Sequence, residues 1–178
     1  MLSAITERTT LISIMLGNNE VGSILPIGEI SKKINKTGMF PMIHTDASQA
    51  FAYVDCNVSE LGIDLMTLSS HKIYGPKGAG ALYIKGGIKN IPLQPLIYGG
   101  GQEYSLRSGT ENVPAIVGFG VAAEKVKKER TALAKKIKSL QQYCWDVIHS
   151  AMPNVKINGP PRIVTGKQIG RASCRERV

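Results

Sequence analysis

One lysine of this chain stands where an apolar segment ends and a glycine-rich loop begins. Residues 64–69 predict a short, largely buried strand, Lys72 follows three residues later, and glycines recur over residues 75–80. Ligands of α/β proteins collect at the carboxyl ends of such strands. Lys72 is therefore the first candidate for catalysis, although an isolated lysine of this kind is more often a solvated loop residue.

A second apolar segment, upstream of the first, ends in a carboxylate. Residues 41–45 lead to Asp46, and Gln49 follows three residues later. If a helical turn begins at Asp46, the two side chains share one face. A carboxylate and an amide beside a lysine suit pyridoxal phosphate (PLP), whose pyridinium nitrogen needs an anion and whose ring hydroxyl needs a donor. Taken alone, Asp46 is more typical of a helix N-cap.

Four short motifs together give the chain a resemblance to a known family. It resembles the cysteine desulfurases and the related selenocysteine lyases over roughly residues 2–164; these are PLP-dependent enzymes of fold type I in the class V aminotransferase group. The motifs occur in the family's order and near its spacing: Gly17-Asn18-Asn19-Glu20-Val21-Gly22, His44-Thr45-Asp46-Ala47-Ser48-Gln49, Ser69-Ser70-His71-Lys72 and Arg107-Ser108-Gly109-Thr110.

The resemblance implies a role for each of five side chains. Lys72 carries the cofactor through a covalent bond and is catalytic together with His71. Ser69 and His71 hold the cofactor phosphate, and residues two apart on an extended backbone do project to the same side. A packed loop histidine is the alternative for His71. Asp46 pairs with the pyridine nitrogen, and Gln49 pairs with the ring hydroxyl.

Two further positions follow from the same resemblance. Asn19 matches the residue that contacts the substrate carboxylate, although asparagine beside glycine is also typical of a turn. Thr110 matches a threonine that reaches the cofactor phosphate of the other subunit, which implies a homodimer. The glycines of residues 99–101 permit backbone amides to approach an anion closely, whereas those of residues 75–80 suit a tight turn equally well.

Strand and helix signals alternate along the chain, which favours an α/β fold with a mostly parallel sheet. Strands are predicted at 9–16 and near Met42, Leu65, Ala81 and Pro92, and helices at 26–36 and at about 115–150, the second broken or bent in its charged middle. The resemblance adds a partial three-layer α/β/α large domain over residues 1–113. A linking helix and the start of a truncated small domain are expected over residues 114–164.

The last residues are expected to be foreign to this fold. Residues 165–178 lie outside the resemblance, and the sequence of residues 169–178 matches the translation of a common DNA-sequencing adapter. A genuine basic tail is the alternative. The family is about twice as long as this chain, so the resemblance implies that an N-terminal half and most of the small domain are absent.

The three cysteines do not include the expected nucleophile. The resemblance implies a mobile cysteine well beyond residue 164 that takes sulfur as a persulfide. Cys174 lies in the suspected adapter, Cys144 has the helical spacing of a core residue, and Cys56 has no neighbour that would lower its pKa. We therefore expect the chain alone to be inactive.

Charge and composition exclude several other classes of function. The formal net charge of +9 falls to +7 without residues 169–178, and much of the remainder lies in residues 121–138. That stretch predicts a solvated helix face, since no aromatic residues interleave with its lysines, and we expect no nucleic-acid partner. The cysteine spacing indicates neither disulfides nor a metal site. Because no apolar run is long enough to cross a membrane and no signal peptide is present, we expect a cytoplasmic protein.

The function that the resemblance implies is PLP-dependent removal of sulfur from L-cysteine. The products are alanine and a protein persulfide, which passes to sulfur-acceptor proteins in iron-sulfur cluster assembly or other sulfur transfer. Selenocysteine lyase and a catalytically dead PLP-binding fragment are the alternatives.

Overall fold

The computed structural model describes residues 2–159, which form one four-stranded sheet with helices. The strands are β1 (Leu11–Met15), β2 (Met42–Asp46), β3 (Leu65–Ser69) and β4 (Gly80–Ile84), in the order β1-β2-β3-β4. The first three strands are parallel and β4 is antiparallel to β3. The segment of residues 70–79 is shorter than the dozen or so residues that a parallel crossover needs. The predicted α/β fold with a mostly parallel sheet is confirmed.

Three α-helices accompany the sheet: α1 (Ile27–Asn35), α2 (Val58–Leu61) and α3 (Val113–Ala151). Short 3₁₀ turns lie at Leu2–Ala4, Ser70–Ile73 and Glu103–Ser105. The predicted stripe of α1 is confirmed, because Ile27 and Ile34 are buried and Ile30 packs beside them. Gly38 follows the helix at a φ of 73°, which glycine adopts at little cost.

The main core lies between α1 and one face of the sheet. Side chains alternate between the two faces of a strand, and Ile14 of β1, Ile43 of β2 and Met66 of β3 all face this core. The described residues thus supply the sheet and one helical layer. On the opposite face, Leu11 and Met15 of β1 are exposed.

Helix α3 packs on a different part of the molecule. Val126 of α3 is buried with Ile73 and Ala52 in a second cluster. Arg130 extends this contact: its Nη1 donates to Asp55 Oδ1 at 3.0 Å, and its guanidinium lies 5.2 Å from the centroid of the Phe51 ring. Helix α3 is therefore attached to the chain that follows β2 and to the turn that follows β3.

Two details of the predicted elements are wrong. Helix α3 is continuous through its charged middle, because lysine and glutamate are good helix formers and no proline or glycine interrupts residues 121–151. No strand forms near Pro92 among the described residues, which is consistent with the lack of a backbone donor at Pro92 and Pro95.

The division at residues 113 and 164 stays a prediction, and residues 165–178 lie outside the described ones. None of the helices within residues 2–159 is both long and apolar enough to cross a bilayer.

Candidate active site

The carboxyl ends of β2 and β3 bring two predicted site residues onto one face of the sheet. Asp46 ends β2 and pairs with Thr67 of β3, two residues before Ser69. Since paired residues of parallel strands share a face, Asp46, Thr67 and Ser69 all lie opposite the α1 core. We call this the site face. It carries residues 11, 13 and 15 of β1, 42, 44 and 46 of β2, 65, 67 and 69 of β3, and 82 and 84 of β4.

Lys72 lies in the 3₁₀ turn Ser70–Ile73, which directly continues β3. Ile73 is buried against α3 and fixes the turn, while His71 and Lys72 are exposed. Ser69 Oγ and His71 Nδ1 are 3.0 Å apart, so the hydroxyl and the imidazole predicted to share one phosphate already lie together. The turn therefore presents an amine and a candidate anion site beside the end of β3.

The glycine that follows this turn is required by close packing. A Cβ at Gly75 would overlap Ser70 Oγ and would lie 3.2 Å from Ala122 Cβ of α3. Tyr74, just before it, has a φ of 68°. At Gly75 the structure accordingly favours the tight turn over the alternative of a ligand-binding glycine.

Asp46 begins a compact turn that contains Gln49. Asp46 Oδ1 accepts a hydrogen bond of 2.8 Å from the Ser48 N–H, and the N–H groups of Ala50 and Phe51 both bond the Ala47 carbonyl. Asp46 therefore closes a local turn, and it is not a helix N-cap, because no helix of the described residues begins here. Its other carboxylate oxygen makes no hydrogen bond to the described residues, and Gln49 lies half-buried one turn away.

The loop after β1 reaches the same edge of the sheet. The Leu16 N–H donates to the Asp46 carbonyl at 2.8 Å, which places residues 17–24 beside the end of β2. Asn18 takes the turn role here, because its Oδ1 accepts hydrogen bonds from the N–H groups of Glu20 and Val21. Asn19 is exposed, and its side chain makes no hydrogen bond within the described part of the chain. This leaves Asn19 available to a ligand.

Thr110 is exposed and follows an irregular segment. Gln102 Oε1 accepts from the Gly109 N–H at 2.9 Å, and Ser108 Oγ accepts from the Gly101 N–H at 3.3 Å, so the glycine-rich stretch is held against the residues before Thr110. The three residues Glu103–Ser105 all have positive φ values. The homodimer role of Thr110 stays a prediction.

The two described cysteines differ from each other. Cys56 is buried, and desolvation raises the pKa of its thiol from 9.0 to about 11, although the positive charge of Arg130 acts to lower it. The prediction that nothing activates Cys56 is confirmed. Cys144 is exposed, as are Leu140 and Val147 of the same predicted stripe, so its predicted core position is wrong. Cys174 lies outside the described residues.

Sequence reasoning missed a row of polar groups on the site face. Ser13 Oγ and His44 Nδ1 are 2.7 Å apart, and His44 Nε2 and Thr67 Oγ1 are also 2.7 Å apart. The signal was available: each of these residues interrupts an apolar strand with a polar side chain, and two of them lie two positions before Asp46 or Ser69. The row joins β1, β2 and β3.

Comparison with known proteins agrees with this architecture. The sequence matches the aminotransferase class-V family over residues 1–168. It is 45% identical to a cysteine desulfurase IscS of Clostridium botulinum over 158 residues, which cover 89% of this chain and 38% of that protein. It is 48% identical to cysteine desulfurase IscS 1 of Archaeoglobus fulgidus over 142 residues, which cover 80% of this chain and 36% of that protein.

Two solved structures show the same likeness. A NifS-like protein superimposes with a TM-score of 0.79 at 38% identity, over 84% of this chain and 40% of its own. SspA in complex with cysteine superimposes with a TM-score of 0.64 at 47% identity, over 69% of this chain and 35% of its own.

A mostly parallel sheet, followed at the end of β3 by the turn that carries Lys72, agrees with these comparisons. The chain belongs to the class V aminotransferase family. It spans about two fifths of the length of the curated relatives that it matches.

Proposed function

We propose that this chain is the cofactor-binding part of a cysteine desulfurase that uses PLP. One observation carries the proposal: Asp46 and Ser69 lie at the ends of adjacent parallel strands, and Lys72 lies in the turn that continues the second strand. The names of the curated relatives and the cysteine bound to SspA support the choice of L-cysteine as substrate.

The groups present at this edge fit PLP. Lys72 supplies an amine for covalent attachment to the cofactor aldehyde. Asp46 supplies a carboxylate for the ring nitrogen, with one oxygen free of hydrogen bonds to the described residues. Ser69 and His71 supply a hydroxyl paired with an imidazole for the phosphate. PLP supplies an electron sink that weakens the bonds at the substrate Cα.

The residues of the chain would bind the cofactor and orient its ring and phosphate. Asp46 keeps a proton on the ring nitrogen, and Gln49 donates to the ring hydroxyl. Ser69 and His71 would bind the phosphate; since His71 Nδ1 faces Ser69 Oγ, its Nε2 is the nitrogen left to donate to the phosphate. Asn19 binds the substrate carboxylate, and Thr110 reaches the phosphate of a second subunit in a homodimer.

The overall reaction balances without an outside oxidant or reductant. L-cysteine and a protein thiol become L-alanine and a protein persulfide, whose sulfur passes to acceptor proteins in the cytoplasm. The accepting thiol is not Cys56, because Cys56 is buried with a raised pKa, and a thiolate is the nucleophile that this transfer requires.

The test uses a hybrid enzyme in which residues 2–159 replace the segment that they match in the Clostridium botulinum relative. We expect the hybrid to form alanine from L-cysteine. Lys72→Ala should lower kcat by roughly a thousandfold or more, the scale of losing a group that acts in a catalytic unit. Lys89→Ala, a change at an exposed loop lysine, should keep kcat within about twofold. Equal activity of the two variants would refute the proposal.

A further inference from the structure

The row of Ser13, His44 and Thr67 lies directly beside Asp46 on the site face. His44 is two residues before Asp46 on β2, and Thr67 is the residue of β3 that pairs with Asp46. The imidazole bonds Ser13 of β1 through Nδ1 and Thr67 of β3 through Nε2, each at 2.7 Å. His44 therefore links the two strands that flank β2 one residue layer below Asp46.

Thr67 holds the chain on both sides of Asp46. Its hydroxyl bonds His44, two residues before the carboxylate, and its carbonyl accepts a hydrogen bond of 3.0 Å from the Ala47 N–H, one residue after it. From β1, the Leu16 N–H bonds the Asp46 carbonyl. Because only the His44 contacts use side chains, they are the part of this arrangement that a substitution can remove while the backbone ladder remains.

We propose that His44 is a positioning residue, which fixes the Asp46 carboxylate through its simultaneous hydrogen bonds to Ser13 and Thr67. The inference rests on the proposed function, in which Asp46 pairs with the cofactor nitrogen. A neutral imidazole has one donor and one acceptor nitrogen, so it joins the two hydroxyls into one directional chain. Small displacements of a catalytic group lower the reaction rate strongly, so a link that holds Asp46 in place should matter for turnover.

The substitutions separate positioning from general stability. His44→Phe keeps a planar ring and removes both hydrogen bonds. His44→Gln keeps one donor and one acceptor and should restore much of what phenylalanine loses. His149→Phe is the matched control, since His149 lies on α3, stacked on Trp145 at 5.1 Å and far along the sequence from the site face.

In the hybrid enzyme we expect His44→Phe to lower kcat about 10- to 100-fold with KM changed less than about threefold, the scale of a misplaced catalytic group. His149→Phe should stay within about twofold of the parent. In an Asp46→Asn background, His44→Phe should cost less than about twofold further, because the group that it positions is already gone.

A spectroscopic readout completes the test. His44→Phe should shift the pH at which the visible absorption of bound PLP titrates, and the shift should vanish in the Asp46→Asn background. The role of His44 would be overturned if the kcat losses of His44→Phe and Asp46→Asn multiplied in the double variant. An unshifted titration in a folded His44→Phe hybrid would overturn it as well. A parent hybrid that binds no PLP would instead overturn the proposed function, and the inference with it.

Discussion

Two buried serine hydroxyls differ in whether they have a partner. Ser31 of α1 is 1% exposed and donates a hydrogen bond of 2.6 Å to the Gly62 carbonyl. Ser70, in the turn that holds Lys72, is fully buried, and its Oγ has no partner within the described residues. A buried hydroxyl without a partner lowers stability by its desolvation cost.

Alanine at the two positions should therefore have different effects on stability. We expect Ser31→Ala to lower the free energy of unfolding of the hybrid by about 1–2 kcal/mol, because it leaves the Gly62 carbonyl unpaired. Ser70→Ala should leave it unchanged or raise it by up to about 1 kcal/mol. Urea denaturation measures both changes. A loss at Ser70 as large as that at Ser31 would mean that the Ser70 hydroxyl has a partner in solution.

The raised pKa of Cys56 gives a pH-dependent prediction. The thiolate is the form that reacts with iodoacetamide, and the Cys56 thiol stays protonated until the pH approaches 11. Iodoacetamide should therefore label the exposed Cys144 at pH 8 and leave Cys56 unlabelled. The folded protein binds this proton more tightly than the unfolded chain does. The stability contributed by the neutral thiol should thus be lost as the pH rises from 9 toward 11.

Mass spectrometry of the labelled peptides checks this prediction, and Cys56→Ala should remove that part of the alkaline loss of stability. Rapid labelling of Cys56 at pH 8 in the folded protein would contradict its burial.

Sequence alone left the roles of some single residues open and missed others. For Asn19 it left a substrate contact and a turn role as alternatives, and the structure gives the turn contacts to Asn18 instead. The His44 contacts were missed, since the pairing of β1 with β2 and β3 depends on strand register, which short-range patterns do not fix.

At the scale of elements, two glycines of α3 differ in their surroundings. A Cβ at Gly118 would lie 2.5 Å from Pro76 Cγ, in the loop that follows Lys72, whereas a Cβ at Gly120 would meet nothing within 4 Å. Gly118 thus lies where α3 packs tightly on the loop beside the candidate site. Gly120 is an ordinary helix glycine.

The same substitution at these two positions tests that contact. Gly120→Ala should stabilise the hybrid by roughly 0.5–1 kcal/mol through the better helix propensity of alanine. Gly118→Ala should lose that gain and destabilise by about 1–3 kcal/mol, because the Pro76 ring must move. Thermal or urea unfolding reports both. If Gly118→Ala stabilised as much as Gly120→Ala, the packing of α3 on the Pro76 loop would be wrong.

The elements that the sequence predicted best are those with a clear pattern of apolar residues. The stripe of Ile27, Ile30 and Ile34 identified α1, and the two apolar runs before Asp46 and Lys72 identified β2 and β3. The predicted strand near Pro92 failed because Pro92 and Pro95 have no backbone N–H to donate to a neighbouring strand, although apolar residues surround them. The dense charge in the middle of α3 suggested a break there. The helix is continuous because the lysines and glutamates of this stretch are good helix formers.

At the scale of the whole molecule, the site face exposes apolar side chains. Leu11, Met15 and Leu82 are 43–48% exposed on it, around the polar row and Asp46. In a class V aminotransferase that spans more than twice this length, further chain is expected to close the cofactor site against water. The described residues include the proposed binding groups but no accessible nucleophilic cysteine beside Lys72.

The 178-residue chain on its own should therefore form no alanine from L-cysteine, even with added PLP. Losing a nucleophile that acts in a catalytic unit costs several orders of magnitude. The measurement is alanine released in the presence of a reductant, compared with Lys72→Ala in the same chain. Catalytic alanine formation above that control would show that no further cysteine is needed.

The most direct test concerns the amine proposed to hold the cofactor. Borohydride reduction of the PLP-loaded hybrid should fix the covalent link, and peptide mapping should locate the pyridoxyl group. We predict the adduct on Lys72 alone among the lysines of this chain, and its loss in Lys72→Ala with PLP still bound non-covalently. An adduct on Lys77, five residues along the same loop, or on any other lysine of the parent hybrid would contradict the assignment of this site.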